Sequence, residues 1–175
     1  MRALVNSVTS WDVVCLNKIF GLDGKKLVSI AVPWISHSGN GYYYPALPLV
    51  LFFFDPEVAL RFLLAALAAF ALELPLYKLL KNCIKRDRPC EALTTVQRRI
   101  VPSDRFSFPS GHTAAAIVMA TLVSFFIPIL ALPVFLWALL VGFSMIFMGV
   151  HNPTDILAGI VIGMLCGWCG LTIAG

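Results

Sequence analysis

The chain has 175 residues, 59% of them hydrophobic and only 13% charged, with a mean hydropathy of +0.88. A soluble domain of this length carries about a quarter charged residues, so composition excludes a soluble globular protein and points to a single membrane-embedded domain over residues 1–175. Thirteen Lys and Arg stand against nine Asp and Glu; no soluble basic segment is present to carry nucleic acid, and anionic lipid headgroups are the partner these charges suit.

Residues 2–22, RALVNSVTSWDVVCLNKIFGL, are divided by Asp12 and Lys18 and so lack the unbroken apolar core of a secretory signal. Val13, Val14, Leu16, Ile19 and Phe20 fall loosely on one helical face. Residues 1–24 are therefore expected to form an amphipathic helix lying at the membrane surface. Five later stretches reach the length of about 20 mostly apolar residues that a span requires. They are Leu27 to Phe54, interrupted by SHSGNG at 36–41, then Val58 to Leu80, Ser110 to Ile127, Leu130 to Met148 and Thr154 to Ala174. Neither strand alternation nor an internal repeat is present. The fold class that follows is an all-α integral membrane protein, a bundle of about five transmembrane helices plus the interfacial N-terminal helix.

Smaller features have plain readings. Cys166 and Cys169 form C-x-x-C inside an apolar span, where small residues pack helices together more readily than they do redox chemistry. Cys83 and Cys90 flank a polar loop, and nothing requires them to pair. Glu73 and Lys78, near the end of the second span, are expected to pair or snorkel. His37 reads as a polar residue of the interrupted first span.

Polar residues gather on one membrane face. The long segment LKNCIKRDRPCEALTTVQRRIVPSDRFSFPSGH joins the second and third spans, and GVHNPTD joins the last two. With five spans both links share a face. An excess of Lys and Arg in short loops marks the cytoplasmic side, which accounts for Lys25, Lys26, Arg98 and Arg99 as well as any chemistry does.

Three short motifs on that face call for more. In PSGH, Ser110 suits an N-cap, and the free N–H groups of the following helix, with no side chain at Gly111, can bind an oxyanion towards which His112 would donate. In HNPTD, Asn152 can cap the last helix, with Pro153 in its first turn and Asp155 closing a capping-box-like contact. Asp155 also stands one turn from His151, where a carboxylate can fix the imidazole tautomer and leave the other nitrogen basic. In KNCIKRDRP, Lys81 and Arg88 can be orienting charges or, together, a clamp for phosphate oxygens.

In order and spacing, K-x6-RP, PSGH and H-x3-D resemble the signature of the type 2 phosphatidic acid phosphatase (PAP2) family, over roughly residues 75–170. The resemblance implies the core shared with vanadium haloperoxidases and an integral membrane lipid phosphatase. It implies that His151 attacks phosphorus, that Asp155 orients it, and that His112 protonates the leaving oxygen and later activates water. Lys81, Arg88, Ser110 and the Gly111 backbone would hold the phosphate. It implies no metal and no other cofactor, and Asp87, Glu91 and Asp104 are scattered without the ligand pattern of a hard cation.

One position departs from the pattern. The third motif of the family is S-R-x5-H-x3-D, whereas this chain has SMIFMGVHNPTD, with Met145 at the arginine. Methionine cannot supply the missing charge, and Arg105, Arg86 and Lys85 are the nearest cations in sequence, Arg105 being the candidate substitute. Alternatively the enzyme is slow or tuned to a substrate that brings less negative charge, or catalysis has given way to binding of phosphorylated lipid. A diphosphate, which leaves more easily than a monoester, is favoured if Met145 weakens the site. Transfer of the phosphoryl group to a second lipid would use the same histidine. Phosphatidic acid, phosphatidylglycerol phosphate, undecaprenyl diphosphate and lipid A phosphates all fit a site at headgroup level. The resemblance implies a bacterial inner-membrane protein whose site faces the periplasm or exterior, against the charge bias of the loops.

Overall fold

The computed structural model describes residues 2–21, 26–102 and 104–174, and side chains over 10–21, 28, 30–102 and 104–174. Residues 22–24 of the expected interfacial segment lie outside the described residues. Eight α-helices are described: α1 (Arg2–Phe20), α2 (Lys26–Ser38), α3 (Ala46–Phe52), α4 (Pro56–Ile84), α5 (Pro89–Ala92), α6 (Gly111–Phe126), α7 (Ala131–Phe147) and α8 (Pro153–Ala174). A single 3-10 turn, Pro128–Leu130, joins α6 to α7, and no strand occurs among the described residues. The protein is an all-α integral membrane bundle. Pro56–Ala92, Pro128–Phe147 and Pro153–Ala174 are each long and apolar enough to cross a membrane.

Local chemistry sets where these helices begin and end. Asp55 caps α4, its Oδ1 accepting from the Glu57 and Val58 N–H groups at 3.0 and 3.1 Å, and Pro56 takes the first turn. The 29 residues of α4 extend about 44 Å at 1.5 Å per residue, well beyond a hydrocarbon core of about 30 Å. Its final turn, carrying Lys81, therefore reaches the polar face. Lys85 then adopts a left-handed conformation (φ 51°), which ends the helix and turns the chain back over the bundle. By contrast α6 has 16 residues, about 24 Å of helix.

The expected first span, Leu27 to Phe54, is two helices of 13 and 7 residues. Between them the chain turns through Gly41 at φ 83°. Irregular backbone at membrane depth is tolerated where it lines a cavity, and Gly39, Asn40, Gly41, Tyr42 and Tyr44 do line one. The N-terminal helix also differs from a purely surface-lying segment. Asp12 and Leu16 on α1 are buried, at 1% and 0% exposure, and α1 packs against α7 and α8. Asp12 marks a docked face rather than a solvated one. Nor do Glu73 and Lys78 pair: five residues apart, they point about 140° from each other around α4. Lys78 is exposed, while Glu73 is buried with neither carboxylate oxygen hydrogen-bonded. All five cysteines are free.

The core lies where α4, α6 and α8 meet, around Phe62, Ala65, Ala69, Ala114, Val118, Leu122 and Ile162. The apolar residues of the opposite helix faces, such as Leu64, Leu67, Leu139, Val161 and Leu165, are exposed, as they must be in a bundle solvated by lipid. Packing between α6 and α8 is close because α8 presents glycine at 159, 163 and 167, one per turn on one face. A Cβ at Gly163 would stand 2.5 Å from the Ala114 carbonyl oxygen and 2.8 Å from Ile117 Cβ.

That close approach fixes the start of α6 against the start of α8. Gly163→Val is expected to cost about 1–3 kcal/mol, the range for overpacking a filled interior. It would show as a lower unfolding midpoint in detergent, and an unchanged midpoint would contradict this packing.

Candidate active site

Each polar motif arrives at one end of the bundle on a different element. Lys81 stands on the last turn of α4, Arg88 caps the short α5, His112 sits in the first turn of α6, His151 precedes α8 and Asp155 lies in its first turn. The turn that delivers His151 depends on Gly149, at φ 75°, where a Cβ would lie 2.6 Å from the Gln97 carbonyl oxygen.

Asp155 is fully buried and has several partners. Its Oδ2 accepts the Asn152 N–H at 2.7 Å, the capping-box contact expected from HNPTD. Its Oδ1 accepts from Arg86 Nη1 at 2.7 Å. The same Oδ2 lies 3.7 Å from His151 Nδ1, an electrostatic contact longer than a hydrogen bond. His151 is 3% exposed. Burial pushes its pKa down, against the opposing pull of the Asp155 carboxylate, so the ring is neutral at pH 7 with Nδ1 towards the acid and Nε2 on the far side.

Arg86 continues this network to α1. Its Nη2 donates to Asp12 Oδ2 at 2.5 Å, and Nη1 also reaches Thr154 Oγ1 at 2.6 Å. Asp12 in turn accepts from the Thr154 N–H and hydroxyl at 3.0 and 2.6 Å. Sequence reasoning named Arg86 only as a nearby cation and took Asp12 as a break in an apolar face. Its sole signal was an acid within an otherwise hydrophobic helical segment.

His151 opens onto a cavity of about 630 Å³ that Lys81, Arg88, Gly111, His112 and Met145 also line. Lys81 and Arg88 are 8% and 2% exposed at the side chain. Both bind Asp104: Lys81 Nζ donates to its two oxygens at 2.6 Å each, and Arg88 Nη2 donates to Oδ1 at 2.7 Å and to the Asp104 carbonyl at 3.0 Å. Arg88 Nη1 donates to the Val150 carbonyl at 2.7 Å, tying the guanidinium to the turn that holds His151.

Ser110 is the N-cap of α6, its hydroxyl accepting from the Thr113 N–H at 3.4 Å. It is fully buried and absent from the cavity wall, so its hydroxyl is committed to the cap and not presented to a phosphate. Its own N–H donates to the Asp155 carbonyl at 3.1 Å. His112 Nε2 donates to Asn40 Oδ1 at 3.0 Å, and Asn40 Nδ2 contacts His37 Nδ1 at 3.2 Å. Asn40 was legible only as part of the helix break. Arg105 is exposed, 5.5 Å from the Phe106 ring centroid, and does not line the cavity; its loop turns it outward, and it is not the replacement for a cation at Met145. Met145 itself is buried, at 1% exposure.

A family model described as the PAP2 superfamily matches residues 59–174, the stretch that holds every one of these motifs. The chain belongs to the PAP2 superfamily. Phosphatidylglycerophosphatase B of Bacillus subtilis is 34% identical over 113 residues, 58% of this chain and 53% of that protein. Undecaprenyl-diphosphatase BcrC of the same organism is 34% identical over 74 residues, covering 42% and 38%. These alignments span about half or less of the curated relatives' length. LpxE of Aquifex aeolicus superposes with a TM-score of 0.75 at 30% identity, over 91% of this chain and 94% of that one.

The Arg86 network ties this PAP2 site to Asp12 on α1, a residue outside the motifs. Arg86→Ala leaves the Asp12 and Asp155 carboxylates buried, at 1% and 0% exposure, without their cation. Breaking one side of a buried pair predicts a loss of about 3 kcal/mol, measured by chemical or thermal unfolding in detergent. A loss below about 0.5 kcal/mol, as at an ordinary surface position, would refute the network's structural role.

Proposed function

We propose that this PAP2 protein hydrolyses a phosphate monoester or diphosphate on a membrane lipid, through a phosphohistidine formed on His151 and without a metal ion. The observation that carries the reading is a histidine backed by a buried carboxylate and facing a cavity that two cations and a second histidine also line. His151 Nε2 attacks phosphorus as the bond to the lipid oxygen breaks, and His112, whose proton affinity rises once an anionic phosphate is bound beside it, gives that oxygen a proton. Water then attacks phosphorus, the P–N bond breaks, and His112 takes the proton of the water. Lys81, Arg88 and the Gly111 N–H hold the non-bridging oxygens, charge that Lys and Arg can stabilise in place of a metal.

The lipid class follows from where the site lies. Helix ends bring the cavity to headgroup level, so a phosphate can enter while its tail stays in lipid. The names of the relatives point to phosphatidylglycerophosphate and undecaprenyl diphosphate as the first substrates to try. Neutral Met145 favours the diphosphate, whose leaving group needs less help. The site is assigned to the outer face of a bacterial inner membrane, which puts the end of α8 in the cytoplasm. Reporter fusions after α8 should therefore be active only with cytoplasmic reporters, and a periplasmic signal would reverse the orientation.

Phosphate release by detergent-purified protein should be measured over a panel of lipid mono- and diphosphates in excess EDTA. Release is expected to persist with the chelator and to fall to background in His151→Ala. Because burial lowers the His151 pKa, the neutral nucleophile persists below the ordinary value of about 6.5. The acid limb of kcat/KM should thus have its midpoint below that pH. Release that requires a divalent metal, or that survives in His151→Ala, would overturn the mechanism.

A further inference from the structure

We propose that Asp104 is a built-in anion that occupies the phosphate cradle and must be displaced by any phosphate that binds there. The inference deepens the proposed function and rests on the assignment of Lys81 and Arg88 as phosphate donors. Asp104 places two carboxylate oxygens 2.6 Å from Lys81 Nζ, one of them 2.7 Å from Arg88 Nη2. Two cations converging on a pair of oxygens is the arrangement that non-bridging phosphate oxygens would take. Asp104 lines the same cavity as His112 and His151, so its carboxylate stands where substrate phosphate must go.

Its place in the chain suits displacement. Lys81 and Arg88 are nearly sealed, at 8% and 2% side-chain exposure, whereas Asp104 is 32% exposed. Asp104 lies on the irregular segment between α5 and α6 and can swing outward without unwinding a helix. In the resting protein it neutralises one of two neighbouring buried cations, which would otherwise repel each other in a medium of low dielectric.

Charge then decides what replaces it. Lys81 and Arg88 contribute +2 and Asp104 −1, a remainder of +1 in a cradle whose neighbour Met145 is neutral. A phosphodiester headgroup brings one negative charge and merely exchanges with the carboxylate. A phosphate monoester brings about 1.5–2 charges at pH 7, and a diphosphate more, so either gains attraction that the carboxylate did not have. A membrane presents phosphodiesters in great excess over terminal phosphates. Asp104 raises the affinity that any of them needs to enter the cradle.

Direct binding tests this without turnover. Inorganic phosphate and soluble dihexanoyl-phosphatidylglycerol should be titrated into the full-length protein in detergent, by calorimetry, for the wild type, Asp104→Asn and Asp104→Ala. Both variants are expected to bind both probes more tightly, by a similar factor of at least about 10-fold, and to unfold at a lower midpoint because two buried cations lose the carboxylate they share. If Asp104 only positions the two cations, phosphate affinity falls in both variants and the proposal fails. Unchanged affinity for both probes in both variants overturns the displacement claim, and absence of phosphate binding in all three proteins overturns the cradle itself. The isosteric Asp104→Asn keeps the test open should Asp104→Ala fold poorly. Binding that follows the expected pattern in a protein that releases phosphate from no lipid would refute the hydrolase reading and leave this one standing.

Discussion

The buried carboxylate of Asp155 is the constraint on which the polar end of the bundle depends. One oxygen accepts from Arg86, the other accepts the Asn152 N–H and faces His151, and the backbone carbonyl accepts from Ser110. Those bonds join the start of α8 to the connection after α4, the turn after α7 and the cap of α6. Through Arg86 and Asp12 they also hold α1. A carboxylate with no exposure is tolerable only if its lone pairs are met, so losing any one partner weakens the others. The residue that faces the histidine therefore also joins the elements around it. Capping and facing His151, alternatives when HNPTD is read alone, fall to the same oxygen, Oδ2.

Around this fixed point the bundle supplies rigidity from lipid-compatible packing and concentrates polarity in one cavity. Glycines on α8 let α6 approach closely enough that His112 and His151 line a common space. The interruption of the first span serves the same space from another side, since its irregular backbone lines the cavity and Asn40 holds His112 Nε2. Helix breaks are costly in hydrocarbon and persist where polar surroundings receive them. Glu73 and Tyr44 deeper in the wall, both with buried oxygens lacking partners, extend that polarity well below Lys81.

Charge in the cradle is balanced at a low level for a phosphate site. Two cations face one native carboxylate, and Met145 in the same cavity wall is buried and neutral. The described structure brings no further cation to that position: Arg105 turns outward onto Phe106, and Arg86 is engaged behind Asp155 with Asp12. A weakly positive site suits a substrate that brings its own charge and a good leaving group.

Composition and hydropathy determined the membrane class and the helical bundle, because a lipid solvent leaves few alternatives to the helix. Motif spacing singled out His112, His151, Asp155, Lys81 and Arg88, which the structure gathers at one end of the bundle, each near a helix end or cap. The N-cap role of Ser110 was likewise readable, but not that capping would use up its hydroxyl. Local pattern could not show that Asp12 turns inward to Arg86, 74 residues away, or that Asp104 reaches back to Lys81 and Arg88, 23 and 16 residues earlier. Nor could it show that Asn40 meets His112 across 72 residues. Those pairings depend on which ends of which helices are packed side by side. Hydrophobic periodicity records that a helix is buried, but a lone polar residue carries no mark of its distant partner, and only the tertiary structure decides whether it is solvated, paired or placed in the site.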